Sequence, residues 1–457
     1  MIKLRDYQDA MMDAARAHMR AGTRRVLLVA PTGAGKRMMA VYTIARAAER
    51  GTRCSFLVHR QELLDQAVDT IEDHGLRCGI IKSGINPDHE QPIQVASVQT
   101  LAKRLDKVPL SDFLFVDEAH HARASTWEQI TSAHTSAFVL GFTATPTRLD
   151  GKGLGKWFDA MVVGPSMREL IDSGHLADYR LFAPPPPNIE GVQTVAGDYN
   201  RAQLAAAVDR PKLVGDAVEH YRRYAMGTQA ICFAVNILHS KHLAEAFCAA
   251  GIPARHADGE TPRDERAMTL EDFTARRFTV LCNVDILGEG LDVAGIETVS
   301  CNRPTKSLTV YLQQIGRGLR VKPNGAKCTI IDHAGNSQRL GLPDEDRQWE
   351  LTADKIKRRA SGDVPIKICP ACFAAQSPAT RTCPECGQTF EVEASLPDRE
   401  DGNLIEIDRA TIQWKRRQEE WRAKTVEELT AIGVARGYRY PRAWAKHVIE
   451  ARERKRA

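Results

Sequence analysis

The stretch that most constrains this chain is RRVLLVAPTGAGKR, residues 24–37. Val26 to Val29 form the short apolar run of a strand buried on both faces of a parallel sheet. Gly33 and Gly35 break the run, Lys36 follows, and MMAVYTIARAAER continues with helical character. A strand, a glycine turn, a lysine and a helix start make a cradle for a triphosphate. Glycines let backbone N–H groups turn toward phosphate oxygens, the helix N-terminus adds its positive dipole end, and the lysine brings a point charge. Thr32, Gly33, Ala34, Gly35, Lys36 and Arg37 are the candidate phosphate-binding positions. Arg37 is the departure: such loops place Ser or Thr there to ligate magnesium, and a guanidinium has no acceptor with which to hold a cation. Either Mg2+ rests on a carboxylate elsewhere, water and the phosphates, or the site is weakened.

The rest of the chain repeats the same alternation. CSFLVH (54–59), IQVASV (93–98), FLFVDE (113–118) and AFVLGFTAT (137–145) read as strands. Between the first two, QELLDQAVDTIEDHG places Leu63, Leu64, Ala67, Val68 and Ile71 on one helix face. Apolar strands alternating with amphipathic helices predict a parallel sheet covered on both sides, with ligands at the strand C-terminal ends. FLFVDEAHH puts two carboxylates there, about 80 residues after Lys36. Asp117 is expected to hold magnesium and Glu118 to act as general base on water, the pair that triphosphate hydrolysis needs.

Residues 146–200 read as a connector, with glycine-rich DGKGLG, a short helix and the stiff run APPPPN. A second alternating unit follows from about Pro211 to Ala334, with QAICFAVN (229–236) and FTVLCNVDIL (278–287) as strands and no phosphate loop of its own. In YLQQIGRGLR (311–320), Gln313, Gly316, Arg317 and Arg320 have the spacing that puts both guanidiniums near one helix face. Fixed planar cations suit the charge that develops on a transferring phosphoryl group. RPTKS (303–307), just before, offers Arg303, Thr305 and Ser307 as nucleic-acid contacts.

Near the C-terminus, Cys369-x2-Cys372 and Cys383-x2-Cys386 form two knuckles, the spacing of a structural Zn2+ site with four thiolates, with iron in the same thiolate set, disulfides or a redox pair as the alternatives. From Arg409 onward there are 14 Lys/Arg and 6 Glu, a net +8 against +5 for the whole chain, so positive charge concentrates in the tail. Tyr438, Tyr440 and Trp444 lie among those cations and suit either base stacking or a small helical cap. No stretch reaches the roughly 18 apolar residues of a membrane span, and the N-terminus lacks a signal-peptide core. A cytoplasmic protein without membrane contact is the expectation.

Together these elements resemble the DEAH-type motor of superfamily 2 helicases and translocases. The resemblance implies two RecA-like parallel-sheet domains in tandem, an α/β fold, followed by a small zinc ribbon and a helical tail. The corresponding boundaries are 1–165, 166–345, 346–395 and 396–457. It implies further roles. KLRDYQ (3–8) looks like the adenine-reading element, with Gln8 on the adenine edge and Arg5 beside it. His120 completes the Asp-Glu-Ala-His segment. Thr143 and Thr145 match the element that couples hydrolysis to movement. FLVHRQELLDQ and ASVQTL match elements that touch the nucleic-acid backbone, through Arg60, Gln99 and Thr100. GEGLD (288–292) resembles the second domain's partner element, with Gly290 in a tight turn and Asp292 toward the ribose or the coupling network.

With HAGN (333–336) and the four cysteines, residues 1–390 are similar to bacterial RadD-type DNA-repair helicases. That likeness implies ATP and Mg2+ as cofactors and single-stranded, duplex or branched DNA as substrate. It also implies single-strand-binding protein or a recombinase as partners. A phage or mobile-element relative fits equally well. Arg37 keeps a second reading in play, a nucleic-acid-remodelling protein with a weakened ATPase. RNA is a third, because such a motor contacts backbone and does not declare the sugar.

Overall fold

The computed structural model describes residues 3–86, 88–121, 124–148, 152–195, 197–286, 295–352, 366–390, 418–436 and 441–454. Residues 1–391 form one compact unit and 392–457 another.

The first sheet of the larger unit has seven strands: β1 (Arg25–Val29), β2 (Cys54–Val58), β3 (Gly79–Ile81), β4 (Ile93–Ser97), β5 (Phe113–Val116), β6 (Phe138–Thr143) and β7 (Ala160–Val163). They lie in the order β3-β4-β2-β5-β6-β1-β7, and every pairing is parallel. β1 and β2 are buried almost throughout, which is why they read as uninterrupted apolar runs. β8 (Tyr179–Phe182) starts the second sheet, and a two-strand ribbon, β9 (Thr194–Val195) and β10 (Asp198–Tyr199), follows it. β11 (Ala230–Phe233), β12 (Ala254–Ala257), β13 (Val280–Asn283), β14 (Thr298–Cys301) and β15 (Cys328–Asp332) complete that sheet in the order β12-β13-β11-β14-β15-β8, again all parallel. One apolar cluster runs from Val26, Phe56 and Phe142 to Ile231, Leu281 and Ile330, so the two sheets belong to one packed body.

Three expectations are corrected. Residues 146–200 are not a spacer. β7 joins the first sheet beside β1, and Phe158 fills the space beside Gly141, where a Cβ would come within 2.4 Å of its ring. Helix Met167–Asp172, closed by a Ser166–Glu169 capping box, leads into β8 at the edge of the second sheet. Secondly, Arg317 and Arg320 do not share a helix. Helix Leu308–Gly316 starts at Ser307, whose hydroxyl accepts from Val310 N, and stops with Arg317 as its C-cap. Gly318 must then pass so close to β15 that a Cβ would lie 2.4 Å from Cys328 Sγ. Thirdly, the strand expected over 278–287 ends at Asn283, and Asp285 turns the chain with φ +57°. Gly290 and Asp292 lie outside the described residues, as do Tyr438 and Tyr440.

Two short antiparallel strands, β16 (Lys367–Ile368) and β17 (Ala375–Gln376), carry the first cysteine knuckle. The knuckle docks on β8, where Phe182 bridges to Ala374 and Ala183 N donates to Phe373 O at 2.8 Å. In the smaller unit, helices Val426–Ala435 and Pro441–Arg454 pack around Leu429 and Ala445, with Trp444 partly buried against them. No helix among the described residues is long and apolar enough to cross a membrane.

Candidate functional site

The phosphate loop leaves β1 and enters helix Lys36–Ala48 with Gly33 at φ +90° and Gly35 at φ +75°, the left-handed region that favours glycine. Gly35 is needed for space as well, since a Cβ there would sit 2.4 Å from Gln8 Nε2. Gln8 uses both ends of its amide on the protein. Its Nε2 donates to Ala34 O at 2.9 Å, and its Oε1 accepts from Arg5 N at 3.0 Å. Tyr7 Oη donates to the same Ala34 carbonyl at 2.9 Å, and Arg5 Nη1 donates to Tyr7 Oη at 3.2 Å. Tyr7 and Gln8 thus hold the loop at Ala34, and Arg5 braces them both.

Lys36 is buried, and its Nζ donates to Ala30 O at 3.1 Å and Pro31 O at 3.2 Å. Burial pushes its pKa down, and the carboxylates of Glu118 and Asp117 oppose that shift. Both acids emerge from the end of β5, and Asp117 Oδ1 accepts from Glu118 N at 3.0 Å. Glu118 sits at φ +47°, a costly conformation for a residue with a side chain. Its Oε2 is enclosed and makes no hydrogen bond among the described residues. Burial raises the Glu118 pKa, while the Lys36 charge draws it back.

His120 links the lobes. Burial first, then the charges of His121, His59 and Lys36, hold its pKa well below the usual imidazole value. The neutral ring therefore has one donor and one acceptor. With Nδ1 assigned as the donor, Nδ1–H reaches Thr143 Oγ1 at 3.0 Å, and Nε2 accepts from Gln313 Nε2 at 3.4 Å. Thr143 Oγ1 passes its own proton to Thr145 O at 2.7 Å. Thr145 Oγ1 in turn meets Thr309 Oγ1 at 2.7 Å. One buried line of hydrogen bonds thus joins the end of the first sheet to helix Leu308–Gly316 of the second lobe.

The same helix end presses on the phosphate loop, where a Cβ on Gly316 would come within 2.5 Å of Thr32 Cβ. Arg317 is buried beside the acids, and its charge acts on both Lys36 and Glu118. Arg320 has its pKa lowered by burial and by the charge of Arg37. Arg37 Nη1 donates to Gln66 Oε1 at 3.1 Å. Lys36, Asp117, Glu118, His120, Gln313 and Arg317 thus come together, with acids from one lobe and a guanidinium from the other, while Arg320 lies near Arg37.

The residues chosen for nucleic-acid contact divide. Gln99 is exposed at the end of β4, its Nε2 donating to His59 O at 3.2 Å, and Thr100 beside it is half-buried. Arg60, at the end of β2, reaches across the lobes to Asp285 O at 2.8 Å. Arg303, Thr305 and Ser307 serve the interior. Asp198 of the small ribbon accepts from Thr305 Oγ1 at 2.8 Å, Lys306 N at 2.8 Å and Arg303 Nη2 at 3.3 Å. Arg303 also pairs with Asp285, and Asn336 Oδ1 accepts from Thr305 N at 2.9 Å. Asp198, Asp285, Thr309 and Asn336 escaped the sequence reading. Their partners lie elsewhere along the chain; Asp198 and Asp285 stand in stretches read as connector and strand, and Asn336 in HAGN.

The four cysteine sulfurs lie within 4.8 Å of one another, with Cys369–Cys386 and Cys372–Cys383 each at 3.6 Å. Thiolates about 2.3 Å from one tetrahedral ion stand at about such a separation, so the cluster fits a closed metal site. For magnesium the fit is partial, because Asp117 is present but Arg37 occupies the seat of the ligating hydroxyl.

Residues 1–148 match the family described as "Type III restriction enzyme, res subunit", and residues 213–322 match "Helicase conserved C-terminal domain". A 51.5 kDa protein of a Lactococcus phage (isolate 7-9) is 32% identical over 369 residues, covering 80% of this chain and 78% of that one. The IRC3 protein of Saccharomyces cerevisiae, described as an ATP-dependent helicase, is 30% identical over 394 residues. That match covers 80% of this chain but only 57% of the yeast protein. Among solved structures, the ATP-dependent type ISP restriction-modification enzyme LlaBIII bound to DNA superposes with a TM-score of 0.55 at 19% identity. It covers 72% of this chain and 27% of that enzyme, a likeness of fold.

Proposed function

We propose, from the premise that this chain belongs to the superfamily 2 helicases, that it is an ATP-driven helicase or translocase acting on DNA. The observation that carries the proposal is the buried line Gln313–His120–Thr143–Thr145–Thr309, which ties the Asp-Glu-Ala-His segment of the first lobe to the second lobe. ATP closes the cleft, Glu118 activates water, and Lys36, Arg317 and Arg320 stabilise the charge on the transferring phosphoryl group. Asp117 would hold a magnesium ion, which neutralises phosphate charge. Arg5 and Gln8 set the loop from the adenine side, Thr143 and Thr145 couple hydrolysis to movement, and Gly290 and Asp292 belong to the same coupling. We assign Arg60, Gln99 and Thr100 to the backbone of a bound strand.

DNA is the substrate we propose, and the LlaBIII structure that shares this fold holds DNA. The Asp-Glu-Ala-His segment and the cysteine cluster support a RadD-like role in repair, recombination or replication, with single-strand-binding protein or a recombinase as partner. The phage relative supports a phage or mobile-element setting. Zn2+ is the ion we assign to Cys369, Cys372, Cys383 and Cys386, and the cytoplasm is the compartment. The proposed divisions are 1–165, 166–345, 346–395 and 396–457.

Steady-state ATP hydrolysis, titrated with single-stranded, duplex and branched DNA and with RNA at fixed salt, tests the reading. A rate that rises with DNA is expected, and equal rates with and without nucleic acid would overturn it. Arg37 favours a second reading, a remodelling protein with a weakened ATPase. Under that reading Arg37→Thr raises hydrolysis at least tenfold.

A further inference from the structure

Arg37 lies in the first turn of helix Lys36–Ala48, directly after the lysine of the phosphate loop. Its guanidinium is held from the neighbouring helix Gln61–Asp73, where Gln66 Oε1 accepts from Nη1 at 3.1 Å. It is also close enough to Arg320, from the other lobe, for the two charges to act on one another. The group that replaces the magnesium-ligating hydroxyl is therefore a cation, anchored by Gln66 in the first turn of the helix that follows the phosphate loop.

We infer that Arg37 binds the phosphate tail of the nucleotide directly and takes over part of the divalent cation's work, so that nucleotide binding by this chain depends little on magnesium. The inference rests on reading the cleft as an ATP site. Position supports it: Arg37 follows the loop lysine directly, in the first turn of a helix whose N-terminus favours a polyanionic tail. A hydroxyl in the Arg37 position acts on phosphate through the ion it ligates, so its contribution goes when the ion is withdrawn. A guanidinium donates to phosphate oxygens itself, in a planar fork that binds them in pairs. Gln66 is a positioning residue for that fork.

The experiment is equilibrium binding of fluorescent ADP and of a non-hydrolysable fluorescent ATP analogue to the full chain, in excess Mg2+ or in EDTA. The native chain is expected to lose no more than about threefold in affinity in EDTA, less than one charge-assisted hydrogen bond is worth. Arg37→Thr is expected to lose about tenfold or more in EDTA and to recover with Mg2+. Arg37→Gln, with neither charge nor hydroxyl, should bind weakly in both buffers. Native binding that collapses tenfold in EDTA would overturn the inference without touching the ATP site. So would Arg37→Thr binding as tightly as the native chain in EDTA. No binding by the native chain in either buffer would remove the ATP site and the inference together. Far-UV circular dichroism of each variant separates lost binding from lost fold, and the native comparison in the two buffers needs no variant at all.

Discussion

The hydroxyls of Thr145 and Thr309 lie 2.7 Å apart, both buried, one just beyond the end of the first sheet's β6 and the other in the first turn of helix Leu308–Gly316. Removing one leaves the other buried without its partner, which costs about 1–3 kcal/mol, whereas removing both exchanges a hydrogen bond for apolar contact and costs less. Thr145→Val and Thr309→Val should therefore each depress DNA-stimulated hydrolysis, and the double variant should recover part of the loss. A double-mutant cycle on that rate measures it, with a coupling of about 0.5–3 kcal/mol expected for a direct contact. Strictly additive losses would mean the two hydroxyls do not act together.

Glu118 makes a sharper prediction. As general base it must be ionised, and burial raises its pKa, so at a given pH more of it carries a proton than of an ordinary glutamate. As pH falls, the base form disappears sooner, and the acid limb of the kcat profile should lie above the usual carboxylate range. Glu118→Gln should keep nucleotide binding and lower kcat by about 100-fold or more, the usual scale of a lost general base. A variant that still turns over at the native rate assigns the base elsewhere.

The Asp198 carboxylate gathers Thr305 Oγ1, Lys306 N and the buried Arg303 guanidinium at the entry to helix Leu308–Gly316. Asp198→Ala leaves these donors short of an acceptor, while Asp285 still holds the other arm of Arg303. The expected cost is about 1–3 kcal/mol in urea unfolding. Arginine turnover contacts should loosen with it, because Gln313, Arg317 and Arg320 follow on that helix and its end. Unchanged stability would mean that the small ribbon is an ornament on the second lobe.

Much of this was legible because it is local. The phosphate loop needs its glycines where the backbone turns to positive φ, and β5 needs apolar residues right up to Asp117 because it lies inside the sheet. β7 and β8 were missed for the complementary reason: AMVV and YRLF are short, partly exposed edge strands, one after a glycine-rich stretch and one before a proline run, with nothing local to mark them. The helix carrying the arginines was drawn too long because two glycines were read for spacing and not for the close pass against β15. Arg303 and Thr305 looked available for nucleic acid, since the acid that occupies them is more than a hundred residues away in the chain. Partners so distant along the chain leave no trace in periodicity.

The cysteine cluster offers a last test, through the face it covers. Its first knuckle supplies Phe373 O to Ala183 N at 2.8 Å and Ala374 as a bridge to Phe182. Phe182 stacks on Tyr224 with ring centroids 4.2 Å apart, and Arg223 Nη2 donates to Ala371 O at 3.0 Å. If an ion holds the four sulfurs, its binding free energy is folding free energy for this knuckle. Stripping it should release the knuckle from β8 and bare the Phe182–Tyr224 pair. Elemental analysis should find one zinc per chain. A strong chelator should lower the melting temperature and raise the binding of a hydrophobic dye, and Cys383→Ser should do both without chelator. Zinc that leaves while melting and dye binding stay put would mean that the sheet edge holds its cover without the metal.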